Sequence, residues 1–303
     1  MTAILVLLTI LSAGGLLAAE TNAVTPKVAA AGPLGAARVT RDIAYATNSP
    51  RQNFDLYVPR EGQGPFPLVV WIHGGAWMLG SKDWINVSYL VRHGYAIASI
   101  DYRFSQDAPF PAQIQDCNAA LNFILAHAAE YGVDRSRLVV GGGSAGGHLA
   151  LLLGLARSSA GFGADAAVRL AAILDFFGPA DFTTSLADLQ AIHSEKGIQL
   201  FHDAVSKLLN VPSPLSGDLP AAVVAKERAA SPVNYIGSNS PPVLILHGGK
   251  DDLVPVAQSR GLAAALDKAG VRNRLLVVPD AGHDGPMFAT PEVEAAVVEF
   301  LRR

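Results

Sequence analysis

A chain of 303 residues, half of them hydrophobic and 16% charged, suits one globular domain with a large buried core. The length would admit two domains, but α/β folds commonly run past about 250 residues as one. The formal net charge is −3 and no basic stripe follows any segment, which excludes nucleic acid as a partner.

Residues 3–19 are apolar apart from Thr9 and Ser12 and end in small side chains, so 1–19 reads as a secretory signal peptide cleaved near Ala18 or Ala19. The rival reading is an uncleaved anchor, but Gly14 and Gly15 interrupt the run and a span needs roughly 20 apolar residues. Export to the periplasm or beyond is expected, with no stable membrane insertion after cleavage. Residues 20–36, rich in Ala, Thr, Pro and Gly, read as a flexible lead-in, and 37–303 as the folded domain.

Two short runs, 41–46 and 53–58, predict a leading hairpin at a sheet edge. Strands are then predicted at 67–72, 95–100, 137–140, 170–176, 242–247 and 274–278. Each is almost continuously apolar, as for strands buried on both faces. Helical patterns fall between them at 82–92, 111–131, 144–157, 256–268 and 291–301. Pro111 and Pro291 suit helix starts, and Gly94, Gly132 and Gly270 suit helix ends. The alternation predicts an α/β fold, a mostly parallel central sheet with helices on both faces. Residues 181–240 interrupt the rhythm with a helical, Pro-containing insertion that is expected to cap the site. The single cysteine, Cys117, lies on an apolar helical stripe with Ile114, Leu121 and Ile124. It reads as a buried thiol, and no internal disulfide can form.

The chemistry is concentrated where strand 137–140 runs through Gly142-Gly143-Ser144-Ala145-Gly146 into a helix. This is a G-x-S-x-G nucleophile elbow in its proper strand–turn–helix context, with Ser144 at the apex and glycines where the turn has no room for side chains. Gly141, Gly143 and Gly146 also fit the dinucleotide pattern G-x-G-x-x-G. That pattern normally opens the first βαβ unit, and it leaves the motifs below unexplained.

A serine hydroxyl needs a base and an oriented acid, expected here in the order Ser, acid, His. His283, in Ala281-Gly282-His283-Asp284-Gly285, follows the last predicted strand and is the candidate base. The loop after the preceding strand, His247-Gly248-Gly249-Lys250-Asp251-Asp252, offers Asp251 and Asp252 as acids. Loops at the carboxyl ends of parallel strands are where such sheets place their sites. The early segment His73-Gly74-Gly75-Ala76-Trp77 is an HGGG-type loop. Backbone N–H groups of Gly75, Ala76 and Ala145 are the expected oxyanion donors, with His73 fixing the loop. Trp77 is expected either to wall the substrate pocket or simply to pack the loop. No His-Glu-x-x-His, paired histidines or cysteine cluster suggests a metal, and no cofactor is called for.

On these motifs, with Asp101-Tyr102-Arg103 and the segment from Phe110 to Asp116, residues 40–303 resemble the bacterial esterase/lipase group of the α/β-hydrolase superfamily, near its hormone-sensitive-lipase-like and feruloyl-esterase-like members. The resemblance implies a carboxylesterase acting on a small-molecule ester. It places the acid three residues before Val254-Pro255, at Asp251. Many hormone-sensitive-lipase-like members carry an acidic residue where this chain has Gly143, which favours the feruloyl-esterase-like side. Arylformamidases share similar motifs, so amide hydrolysis is the alternative chemistry. A catalytically dead binding module is the alternative of a different class.

Overall fold

The computed structural model describes residues 34–211 and 219–302. The predicted export segment, and the lead-in up to residue 33, lie outside the described residues.

Eight strands form one sheet: β1 (Ala37–Ala44), β2 (Asn53–Pro59), β3 (Phe66–Ile72), β4 (Ala96–Ile100), β5 (Val133–Gly143), β6 (Ala172–Phe176), β7 (Val243–Gly248) and β8 (Asn273–Val278), in the spatial order β1-β2-β4-β3-β5-β6-β7-β8. The β1–β2 hairpin is antiparallel and sits at the edge as expected, β2 pairs antiparallel with β4, and the remaining pairs are parallel. The mostly parallel α/β sheet is thus as predicted. Alternation along the strands divides the core in two. Leu68, Val70 and Ile72 of β3 face one side, where they join α1 (Ala112–Ala126), α3 (Ala145–Leu155) and α7 (Val256–Lys268). Val69 and Trp71 face the other, with Leu90 and with Val297 of α8 (Pro291–Leu301). Cys117 is buried in α1.

Two helical expectations are corrected. The predicted helix at 82–92 is a loop followed by a 3-10 helix, Ser88–His93. Long-range bonds claim carbonyls a helix would use: those of Lys82 and Trp84 accept from Ser99 Oγ and Trp71 Nε1. The predicted helix at 111–131 breaks at His127 into α1 and the short α2 (Ala128–Tyr131).

The 181–240 insertion carries α4 (Phe182–Ala191), α5 (Glu195–Leu209), α6 (Ala221–Ala230) and a 3-10 turn, Pro232–Tyr235. Asp181 and Ser194 cap α4 and α5 with their side chains. Among the described residues no helix is long and apolar enough to cross a membrane.

Candidate active site

Between the end of β5 and the start of α3, Ser144 holds φ 56° and ψ −121°, a conformation non-glycine residues rarely adopt. The surroundings over-determine it. Ser144 N–H donates to Phe176 O at 2.8 Å, and Ser144 O accepts from His148 N–H at 3.0 Å. A Cβ at Gly142 would run into the carbonyl of Gly146, and one at Gly146 into that of Ile72. Two residues to either side of Ser144 only glycine fits, as the sequence predicts.

Ser144 Oγ lies 2.9 Å from His283 Nε2, and His283 Nδ1 lies 2.7 Å from Asp251 Oδ2. A carboxylate accepts only, so Nδ1 carries the ring proton and Nε2 is free to accept from the serine. Asp251 is buried. Its Oδ1 accepts from Leu253 N–H and Val254 N–H at 2.9 Å each, and Oδ2 also lies 3.2 Å from His247 Nε2. Burial alone would raise its pKa, but the bonds from His247 and His283 more than offset this and hold the carboxyl well below its ordinary range. Asp252 is exposed, and its backbone carbonyl, not its side chain, takes Ser194 Oγ at the head of α5. Of the two carboxylates that the sequence leaves open, Asp251 is the one that meets His283.

The Phe177 ring meets the His283 imidazole edge-on, with centroids 4.9 Å apart, and packs on Phe288. Beyond it Asn86 Nδ2 donates to Asp284 Oδ1, tying the loop after β3 to the histidine loop. In that loop, positive φ runs through Gly75, Ala76 and Trp77. Gly75 O accepts from Met78 and Leu79 N–H, closing a turn that a Cβ at Gly75 would obstruct. Buried His73 stacks on Tyr102 at 4.6 Å, between Gly74 O and the Asp101 carboxylate, in position to fix this turn. Ala76 and Ala145 line the same pocket as Ser144 and His283, whereas Gly75 lies one residue back in the turn. Ala145 opens α3, so its N–H has no intrahelical acceptor.

That pocket, a narrow cavity of about 50 Å³, lies between the elbow and helices α4 and α5. Its walls include Trp77, Phe182, Leu189, Phe201, Ala204 and Val205. Trp77 lines this pocket and is also packed edge-on against Phe182, with Nε1–H donating to His148 Nδ1 at 3.2 Å. Among the polar lining groups, Ser185 donates to Asp181 O. Gln258 is engaged on both amide atoms by Ala180, Asp181, Thr184 and Asp188. A second, more open concavity between Ser88–His93 and α8 holds none of these residues, and its Arg92 and His93 are both engaged by Glu294.

Sequence reasoning misses His247 and His148. His247 is visible there only as the end of a strand. His148 follows Ser144 by four residues on a helix, a spacing that places it one turn along the same face.

The BD-FAE family model matches residues 54–266, a stretch that includes Ser144 and Asp251 and ends before His283. The chain is 32% identical over 277 residues to Esterase LipQ of Mycobacterium tuberculosis, covering 86% of this chain and 62% of that protein. It is 33% identical over 250 residues to the Probable carboxylic ester hydrolase LipM of the same organism, covering 78% and 54%. The chain therefore spans little more than half the length of these relatives. Among solved structures, the truncated form of a carbohydrate esterase from gut microbiota superposes with a TM-score of 0.70 at 26% identity, covering 88% of this chain and 95% of that one. The chain belongs to the BD-FAE family, within the esterase group of the α/β-hydrolases.

Proposed function

We propose that the protein is a serine carboxylesterase that hydrolyses short-chain or aromatic acyl esters through an acyl-enzyme. The observation that carries this is the continuous line from Ser144 Oγ to His283 Nε2 and from His283 Nδ1 to Asp251 Oδ2, opening on an apolar pocket. Ser144 Oγ attacks the ester carbonyl as its proton passes to His283 Nε2. The N–H groups of Gly75, Ala76 and Ala145 receive the oxyanion. Collapse breaks the bond to the alcohol, which leaves with the proton from His283, and water then repeats the sequence to release the acid. Asp251 holds the imidazole in its tautomer and stabilises the imidazolium.

The pocket walls are largely apolar and the lining residues include no Asp, Glu, Lys or Arg, which favours a neutral alkyl or aryl acyl group. The cap helices that close it disfavour long chains. The test is kcat/KM of the purified protein on p-nitrophenyl acetate, butyrate and palmitate, methyl ferulate and N-formylkynurenine. Short or aromatic esters should lead. A preference for palmitate, or turnover of the formamide alone, would overturn the assignment. We also infer that the protein is exported, from the apolar run at 3–19, with its mature chain starting near Glu20. N-terminal sequencing of the native protein tests this, and an intact Met1 in a cytosolic fraction would refute it.

A further inference from the structure

His148 is fully buried at the junction of three elements. Its Nδ1 faces Trp77 Nε1, on the turn that follows β3, at 3.2 Å. Its Nε2 faces the carbonyl of Ala230, the last residue of α6, at 2.7 Å. Its ring stacks on Phe182 at the start of α4, with centroids 4.9 Å apart and planes at 18°. An indole N–H can only donate and a carbonyl can only accept. The partners therefore fix both the charge and the tautomer, with Nδ1 bare and Nε2 carrying the one proton. Burial pushes the pKa down to about 4, against the opposing bond to Ala230, so the ring is neutral at working pH.

The two bonds lead to different parts of the site. Trp77 and Ala76 both sit at positive φ, 58° and 51°, where side chains are disfavoured. The indole bond holds that turn in place, and Ala76 is one of the proposed oxyanion donors. The other bond ends on α6, which packs against α4 and so bears on the pocket roof. We propose that His148 is a positioning residue that couples the cap to the oxyanion turn, its Nδ1 setting the turn and its Nε2–H setting the cap. This rests on the esterase reading above. A purely packing role would need only the stacked ring. Phenylalanine would supply that ring and leave a buried indole N–H and a buried carbonyl without partners.

The two amide side chains separate the functions. In His148→Asn the amide oxygen takes the place of Nδ1 and keeps the acceptor for Trp77. In His148→Gln the amide nitrogen reaches the place of Nε2 and keeps the donor for Ala230. On p-nitrophenyl butyrate, His148→Gln should lower kcat by about tenfold or more with KM within about twofold, because it releases a turn whose donors act in the transition state. His148→Asn should raise KM about fivefold with kcat within about threefold, because it loosens substrate binding. His148→Phe should show both effects. Asn and Gln variants that cannot be told apart, or three variants all within about twofold of wild type, would overturn the coupling. If none folds, wild type still decides: long-range proton–nitrogen correlations at neutral pH should show His148 neutral with the proton on Nε2, and a proton on Nδ1 would refute the proposal. Wild type that hydrolyses no ester would sink the esterase reading instead, leaving the tautomer measurement to judge His148 by itself.

Discussion

Asparagine at position 251 should cost about 10⁴ in kcat, the loss known for removing the orienting carboxylate of a serine-protease triad and equivalent to about 5.5 kcal/mol of transition-state stabilisation. The local geometry gives the reason. Leu253 and Val254 N–H both donate to Oδ1, so the asparagine oxygen is drawn to that side and its NH₂ turns toward His283 and His247. The NH₂ group donates where Oδ2 accepted. His283 then presents a bare Nδ1 to it, its proton moves to Nε2, and the face toward Ser144 becomes a donor that cannot take the serine proton. Asp252→Asn changes an exposed side chain and leaves the carbonyl that binds Ser194, so its cost should stay within about 1 kcal/mol. Both variants are assayed side by side on p-nitrophenyl butyrate, with thermal melts to confirm folding. A crippled Asp252→Asn beside a near-normal Asp251→Asn would show that the acid has been placed one residue early.

Replacing Ala204 with Trp should fill the pocket between α5 and the elbow, lowering kcat/KM for octanoyl esters at least tenfold relative to acetyl, a change of about 1.4 kcal/mol read from a chain-length series. His247→Gln retains a donor near Oδ2 of Asp251, whereas His247→Ala removes a hydrogen bond to a charged group, about 1.5–3 kcal/mol, so kcat should fall roughly ten- to hundredfold in the alanine variant only. Stability should carry two opposed pH slopes from buried groups, each read in urea melts as the difference between wild type and a variant. His148 drops from an ordinary 6.5 to about 4 on folding. Below pH 6.5 the unfolded chain takes up a proton that the folded chain refuses, and the advantage of wild type over His148→Phe should shrink by about 3 kcal/mol as pH falls to 4. Asp175 is raised by burial from 3.8 to about 7, so the folded chain keeps a proton the unfolded chain has lost. Asp175→Asn should accordingly gain on wild type, by up to about 4 kcal/mol, as pH rises from 3.8 through 7.

What is legible in the sequence is what short-range chemistry fixes. The Ser144 elbow can be read because two glycines, a preceding apolar strand and a following helix are all local requirements of one turn. His283 and the acid loop can be read because each follows a strand that pairs parallel in the sheet. Choosing Asp251 over Asp252 needs the family resemblance, since adjacent residues in a loop differ only in direction, which spacing does not encode. The helix predicted at 82–92 fails for a tertiary reason. Ser99 and Trp71 reach in from other strands and bind carbonyls that intrahelical bonds would otherwise satisfy. The same holds for His148 and His247. Both stand beside the catalytic motifs, but their partners, Trp77, Ala230, Ser259 and Val254, are held against them only when the sheet and cap assemble.

That Ser144 carries the acyl group is tested most directly by a fluorophosphonate probe, which reacts with an activated serine whatever the natural substrate. Wild-type protein should take up one phosphonyl group on the proteolytic peptide that contains Ser144, with loss of ester hydrolysis in step with labelling. Ser144→Ala should take up none and retain no more than a few per cent of kcat at an unchanged melting temperature. Labelling on any other residue, or substantial turnover by Ser144→Ala, would contradict the account.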